Sequence, residues 1–94
     1  MNISFLKQKT PPEIELLIAG RIRDIRKRRK LSQQKLSDKS GVSLGSLKRF
    51  ERTGEISLLS LTKLAIALDI HGELEHLFED VPPVSIEEVI RGQS

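Results

Sequence analysis

The sequence predicts an all-α fold of five helices with a short C-terminal tail, and three stretches carry that prediction. From Leu31 to Gly54 the chain reads LSQQKLSDKSGVSLGSLKRFERTG, two short helix patterns, each with a capping serine and a closing glycine. Upstream, Thr10-Pro11-Pro12-Glu13 opens a longer helix pattern, and downstream Ile56-Ser57 opens a strongly apolar one. Ninety-four residues, 37% of them hydrophobic, suffice for one small domain with one modest core.

Residues 1–10 form an N-terminal arm without sustained periodicity. Ile3, Phe5 and Leu6 either pack on the domain or a partner, or belong to a loosely ordered terminus. The main domain is expected over residues 11–80. Its first helix starts with Thr10 as N-cap, Pro11 at the first helical position and Glu13 completing a capping box. It is expected to run to about Lys30, with Ile14, Leu17, Ile18, Ile22 and Ile25 as one apolar stripe. The cations Arg26 to Lys30 at its end suit the negative pole of the helix dipole.

Ser32 caps the second helix, because its hydroxyl can accept from a free backbone N–H of the first turn. Leu31 and Leu36 close as a hydrophobic staple, and Gly41 ends the helix where a left-handed residue is wanted. Ser43 caps the third helix, Val42 and Leu47 repeat the staple, and Gly54 ends it. Two short helices held at a steep angle by a tight turn form a helix-turn-helix, whose second helix is built to lie in the DNA major groove.

Ser57 caps the fourth helix, with Ile56 and Leu61 as staple and Leu58, Leu61, Leu64, Ala65 and Leu68 as a wide core-facing surface. Gly72 leads into a fifth helix over Glu73–Phe78, with Leu74, Leu77 and Phe78 inward. Pro82-Pro83 then breaks the chain. Within the tail, residues 81–94, Ser85 with Glu88 forms a capping box and Val84 with Val89 a staple. Such a segment is too short to be a stable helix alone. Val84, Ile86, Val89 and Ile90 therefore need a surface, which is this domain, a second copy or another protein.

The net charge of +3 divides unevenly. Residues 1–53 carry 14 Lys and Arg against 5 Asp and Glu, whereas residues 54–94 carry 2 against 8. The basic half holds the helix-turn-helix, as attraction to phosphate requires. Lys7 and Lys9 either belong to a loosely ordered terminus or extend that charge as a short arm toward a DNA backbone. The absence of cysteine removes disulfides and thiolate metal sites and suggests a cytoplasmic setting. No apolar run approaches the roughly 20 residues of a membrane span, and the N-terminus lacks a secretory signal's apolar centre. His71 and His76 have no cysteine partners and read as surface or helix-end residues. With no nucleophile elbow, phosphate loop or zinc-protease helix, neither an enzyme nor a cofactor is expected.

The features Ile25-Arg26, Leu31-Ser32-Gln33, Gly41-Val42-Ser43, Leu47, Glu51, Gly54 and Leu64-Ala65-x-Ala67-Leu68 together resemble the phage-repressor and Cro-like helix-turn-helix family, or XRE family. The resemblance covers more than half the chain. It implies a repressor-like domain that binds double-stranded DNA, and a homodimer paired through surfaces near the fifth helix. It also implies that Arg26 pairs with Glu51, tying the first helix to the third, and that Gln33 grips a phosphate at the start of the second helix. Gln34 either assists or is an ordinary exposed residue.

Of the exposed positions around the third helix, the resemblance points to Leu44, Gly45 and Arg49 as base readers, with Ser43 and Ser46 nearby. Leu44 can touch a thymine methyl and Arg49 can fork onto guanine O6 and N7, but Gly45 offers no side-chain donor. Glycine inside a helix costs about 1 kcal/mol against alanine, tolerable where a side chain would block approach to the groove. Lys48, Arg52 and Thr53 are better placed for phosphate. Two functions lead: a dimeric repressor on a near-palindromic operator, and an antitoxin resembling those paired with HipA-type kinases, which binds a toxin partner as well as its own operator; a restriction-modification controller or a phage repressor also stays open.

Overall fold

A computed structural model describes residues 7–92; Ile3, Phe5 and Leu6 of the expected arm lie outside the described residues. The described residues form six helices and no strand: α1 (Pro11–Arg28), α2 (Gln33–Ser40), α3 (Leu44–Thr53), α4 (Leu58–Ala67), α5 (His71–Glu75) and α6 (Ile86–Gly92).

The starts of the four long or central helices follow their caps. The amides of Glu13, Lys35, Ser46 and Ser60 donate to the hydroxyls of Thr10, Ser32, Ser43 and Ser57, at 3.4, 3.1, 3.2 and 3.0 Å. Each bond satisfies one of the amides that a helix N-terminus leaves without an internal partner. The ends of α2 and α3 are glycines in the left-handed region, Gly41 at φ 79° and Gly54 at φ 84°.

Two other ends use residues that sequence patterns do not mark. α1 stops at Arg28 rather than near Lys30. Lys30 is left-handed at φ 58°, and the amides of Lys30 and Leu31 bond back to Lys27 and Arg26 at 2.9 and 3.2 Å. This double bond pattern satisfies two terminal carbonyls and offsets the roughly 1–2 kcal/mol that a side chain in the left-handed region costs. Asp69, also at φ 58°, ends α4 in the same way, with its amide on Ile66 and that of Ile70 on Ala65.

α1 packs on α3, α2 on both α3 and α4, and α4 on α5. Phe50, Leu36, Leu47, Leu64 and Leu68 are the largest fully buried side chains, joined by Ala19, Ile22, Val42 and Ala67. Each large one contributes roughly 1.5–3 kcal/mol by leaving water. The Arg29 guanidinium donates to the Leu68 carbonyl and so ties the end of α1 to the end of α4. In the turn between α2 and α3, the buried Ser37 hydroxyl donates to the Val42 carbonyl at 2.6 Å, and the Val42 amide donates to Ser40 Oγ at 3.1 Å.

Three expectations about burial are corrected. The α1 stripe is only partly inward: Ala19 and Ile22 are buried, while Ile14, Leu17 and Ile18 are 39–41% exposed. Leu58 is 70% exposed and lines an open groove with Ile66, Leu74, Leu77 and Phe78. α5 spans His71–Glu75 rather than Glu73–Phe78, since the left-handed turn at Asp69 starts it earlier. Leu74 is half-buried, but Leu77 is exposed, and Phe78, left-handed at φ 66°, is 79% exposed.

In the tail, α6 is present and the Val89 amide bonds to the Ser85 carbonyl at 3.2 Å. The expected box partner, the Glu88 side chain, lies outside the described residues. Val84 is 92% exposed, and Ile86 and Ile90 are exposed as well.

Candidate nucleic-acid interface

The centre of the helix-turn-helix is a buried ion pair. Arg26 on α1 and Glu51 on α3 have side chains only 9% and 6% exposed. Arg26 Nε donates to Glu51 Oε2 at 2.8 Å and Nη2 to Oε1 at 2.9 Å. Two parallel charge-assisted bonds fix both distance and angle between the helices. The remaining arm, Nη1, donates to the Leu31 carbonyl at 2.8 Å, and Gln33 Nε2 donates to Glu51 Oε1 at 3.0 Å. One guanidinium and one carboxylate thus join α1, the loop after it, the first residue of α2, and α3. Among the described residues no buried side-chain polar atom lacks a partner, which such a desolvated network requires.

Around this pair the surface is basic. Arg23 and Lys27 of α1, Gln33 of α2, and Lys48 and Arg52 of α3 line one open concavity of about 390 Å³ at the N-terminus of α2. Sequence reasoning misses Arg23 as a site residue, whereas Lys27 belongs to the cationic run from Arg26 to Lys30, some of whose members are expected to face phosphate. The four-residue spacing of Arg23 and Lys27 places them on one side of α1, but only the packing of α1 on α3 brings that side to Lys48 and Arg52. Gln33 uses one amide hydrogen on Glu51 and keeps a second donor. Gln34 bonds within its own helix, to Asp38 Oδ1 at 2.9 Å.

The positions expected to meet DNA are arranged along α3 as follows. Ser43 caps the helix and its hydroxyl also donates to Ser46 Oγ at 2.9 Å. Leu44 is half-buried, and Gly45 is exposed. A Cβ built on Gly45 would meet nothing within 4 Å, so the fold itself does not require glycine there. Lys48, Arg49 and Arg52 are exposed. Thr53 is half-buried and its hydroxyl is already used: it donates to the Arg49 carbonyl at 2.7 Å and accepts from the Glu55 amide at 3.1 Å. Arg49 is held by Glu55, a residue that sequence reasoning did not select, with Nε and Nη2 at 2.9 and 2.5 Å from Oε2.

Among the described residues no group of three or more His, Cys, Asp or Glu is placed to hold a metal, and no helix is long and apolar enough to cross a membrane. His76 faces Glu79 at 2.6 Å on the surface.

A capped helix pair braced on a first helix, with a basic face around the exposed side of its second member, defines a DNA-binding regulatory domain. A family model described as helix-turn-helix matches residues 22–74, more than half the chain, and the chain belongs to that family, of the XRE type. Its ligand is double-stranded DNA. No curated protein and no solved structure matches the chain significantly.

Proposed function

We propose that this regulator is a sequence-specific repressor that binds a near-palindromic operator as a two-fold dimer, with α3 of each copy in the major groove. The observation that carries the reading is the basic concavity at the start of α2 beside the exposed face of α3, both held by the Arg26–Glu51 pair. In this arrangement Arg23, Lys27, Lys48, Arg52 and the second amide hydrogen of Gln33 take phosphates and set the register of α3. Arg49 reads a guanine, Leu44 touches a thymine methyl, and Gly45 lets the helix approach the base edges. Repression needs only occupancy of promoter DNA, which such a face supplies.

Dimerisation is supported by an open groove of about 500 Å³ between α4 and α5, lined by Leu58, Thr62, Ile66, Leu74, Leu77 and Phe78. Clustered exposed apolar side chains mark an association surface. A single recognition helix reads only a few base pairs, and pairing two of them about 34 Å apart doubles the information.

The test is a titration against a duplex selected by the protein from randomised DNA, at several salt concentrations, with footprinting of the bound site. A two-fold repeated site is expected, with each neutralised phosphate adding about −0.9 to the log–log salt slope. A flat slope, or protection of one unrepeated half-site by a monomer, overturns the reading.

A second reading, a toxin-binding antitoxin that also regulates its own operon, is favoured by one observation: Val84, Ile86 and Ile90 are exposed on and just before α6. Affinity purification from the source cell tests it. A protein that co-elutes with the full chain, but not with a chain ending at residue 81, is the expected result, and elution of the full chain alone overturns it.

A further inference from the structure

We infer that Glu55 is a positioning residue for base recognition, holding the Arg49 guanidinium so that its Nη1–Nη2 edge is the one presented to a guanine. The inference rests on the reading of Arg49 as a base contact.

The geometry begins at Gly54. Its left-handed backbone, φ 84°, ends α3 and turns the chain back along the helix, so that Glu55, six residues after Arg49, returns to it. The turn is locked by Thr53, whose hydroxyl accepts from the Glu55 amide and donates to the Arg49 carbonyl. Glu55 Oε2 then accepts from both Nε and Nη2 of Arg49. Backbone and side chain of Arg49 are thus joined through one closed circuit that runs through Thr53 and Glu55. Among the described residues Nη1 has no hydrogen-bond partner, and Nη2 retains a second hydrogen. Those two nitrogens form the end of the guanidinium fork, with the geometry that O6 and N7 of guanine accept.

Arg49 and Glu55 are 64% and 57% exposed, and an ion pair this open contributes little to folding. Its consequence is orientation: a long, rotamer-rich side chain is ordered before DNA arrives, which removes part of the ordering otherwise required on binding. The carboxylate also acts against loose binding, because an Arg49 already neutralised is a weaker ligand for a phosphate than for a guanine that meets its free edge.

The experiment measures affinity for two duplexes at one fixed salt concentration, one selected by the protein from randomised DNA and one of random sequence. Glu55→Gln is introduced into the wild-type chain and into Arg49→Ala. The expected result is an about three- to tenfold fall in the selected-to-random ratio in the wild-type background, no further fall with Arg49→Ala, and an unchanged melting temperature. An equal rise in affinity for both duplexes in both backgrounds, or an unchanged ratio while Arg49→Ala lowers it, overturns the role of Glu55 and leaves Arg49 as a base reader. An unchanged ratio in Arg49→Ala itself overturns both together.

Discussion

Gly54 stands directly against the backbone of Glu15: a Cβ on Gly54 would lie 2.6 Å from the Glu15 carbonyl carbon and 2.7 Å from its Cβ. α1 and the end of α3 therefore meet at a point where only glycine fits, quite apart from the φ of 84° that Gly54 adopts. Gly41, at φ 79°, has nothing within 4 Å of the equivalent position. The two helix-ending glycines look alike in sequence, yet one is needed for its dihedral alone and the other for its dihedral and its contact.

Gly41→Ala is expected to destabilise by about 1–2 kcal/mol, the penalty of a left-handed alanine. Gly54→Ala adds a backbone collision to the same penalty and is expected to cost about 1–3 kcal/mol more. Urea unfolding of both variants checks the difference. Equal losses show that α1 yields at Glu15 without resistance.

Arg26 and Glu51 are expected to be strongly coupled. Removing either partner leaves the other buried and uncompensated, so Glu51→Ala should cost about 3–5 kcal/mol and release Gln33 as well. The double variant should lose much less than the sum of the single losses. Thermal melts of the two single variants and the double variant decide this, and additive losses below about 1 kcal/mol remove the pair from any structural role.

Gly45 separates folding from binding. Replacing it with alanine meets open space and should raise helix stability by about 0.5–1 kcal/mol. Gly45→Gln should fold as well as wild type yet bind the selected duplex less tightly, because its side chain occupies the approach to the groove. Circular dichroism melts and gel-shift titrations on the same samples give both quantities. Unchanged affinity for Gly45→Gln places that position away from the DNA.

The groove between α4 and α5 is expected to hold the dimer together. Phe78→Asp removes an exposed ring at a left-handed position that aspartate accepts, and Ile66→Asp places a charge in the same groove. Both variants should sediment as monomers and retain helical content, with melting temperatures that no longer depend on concentration. Sedimentation unchanged from wild type moves the dimer contact elsewhere.

Much of the local architecture was legible in the sequence. Thr10, Ser32, Ser43 and Ser57 start their helices because a hydroxyl and an amide three residues on are brought together by the first turn itself, whatever the rest of the chain does. Gly41 and Gly54 end theirs for an equally local reason. Leu36 and Leu47 read as staple partners of Leu31 and Val42, Leu64 reads as part of a core-facing surface, and all three are fully buried; the family resemblance points to Arg26 and Glu51, which lie 25 residues apart in sequence and 2.8 Å apart in space.

The tertiary structure alone decided which faces were covered and which polar groups met. Lys30 takes a left-handed turn against its own preference, and Asp69 one that aspartate tolerates, because the double hydrogen bonds at those helix ends outweigh the strain. Leu58, Leu77 and Phe78 carry the same apolar signal as the core leucines yet face outward, since hydrophobic pattern marks a surface to be covered without saying by which element or by which copy. Arg23 joins Lys48 at the foot of α2, and Glu55 reaches Arg49, only through the crossing of α1 on α3 and the reversal at Gly54. Those contacts depend on the placement of whole helices, which follows from the balance of packing over the entire core and from no single stretch of sequence.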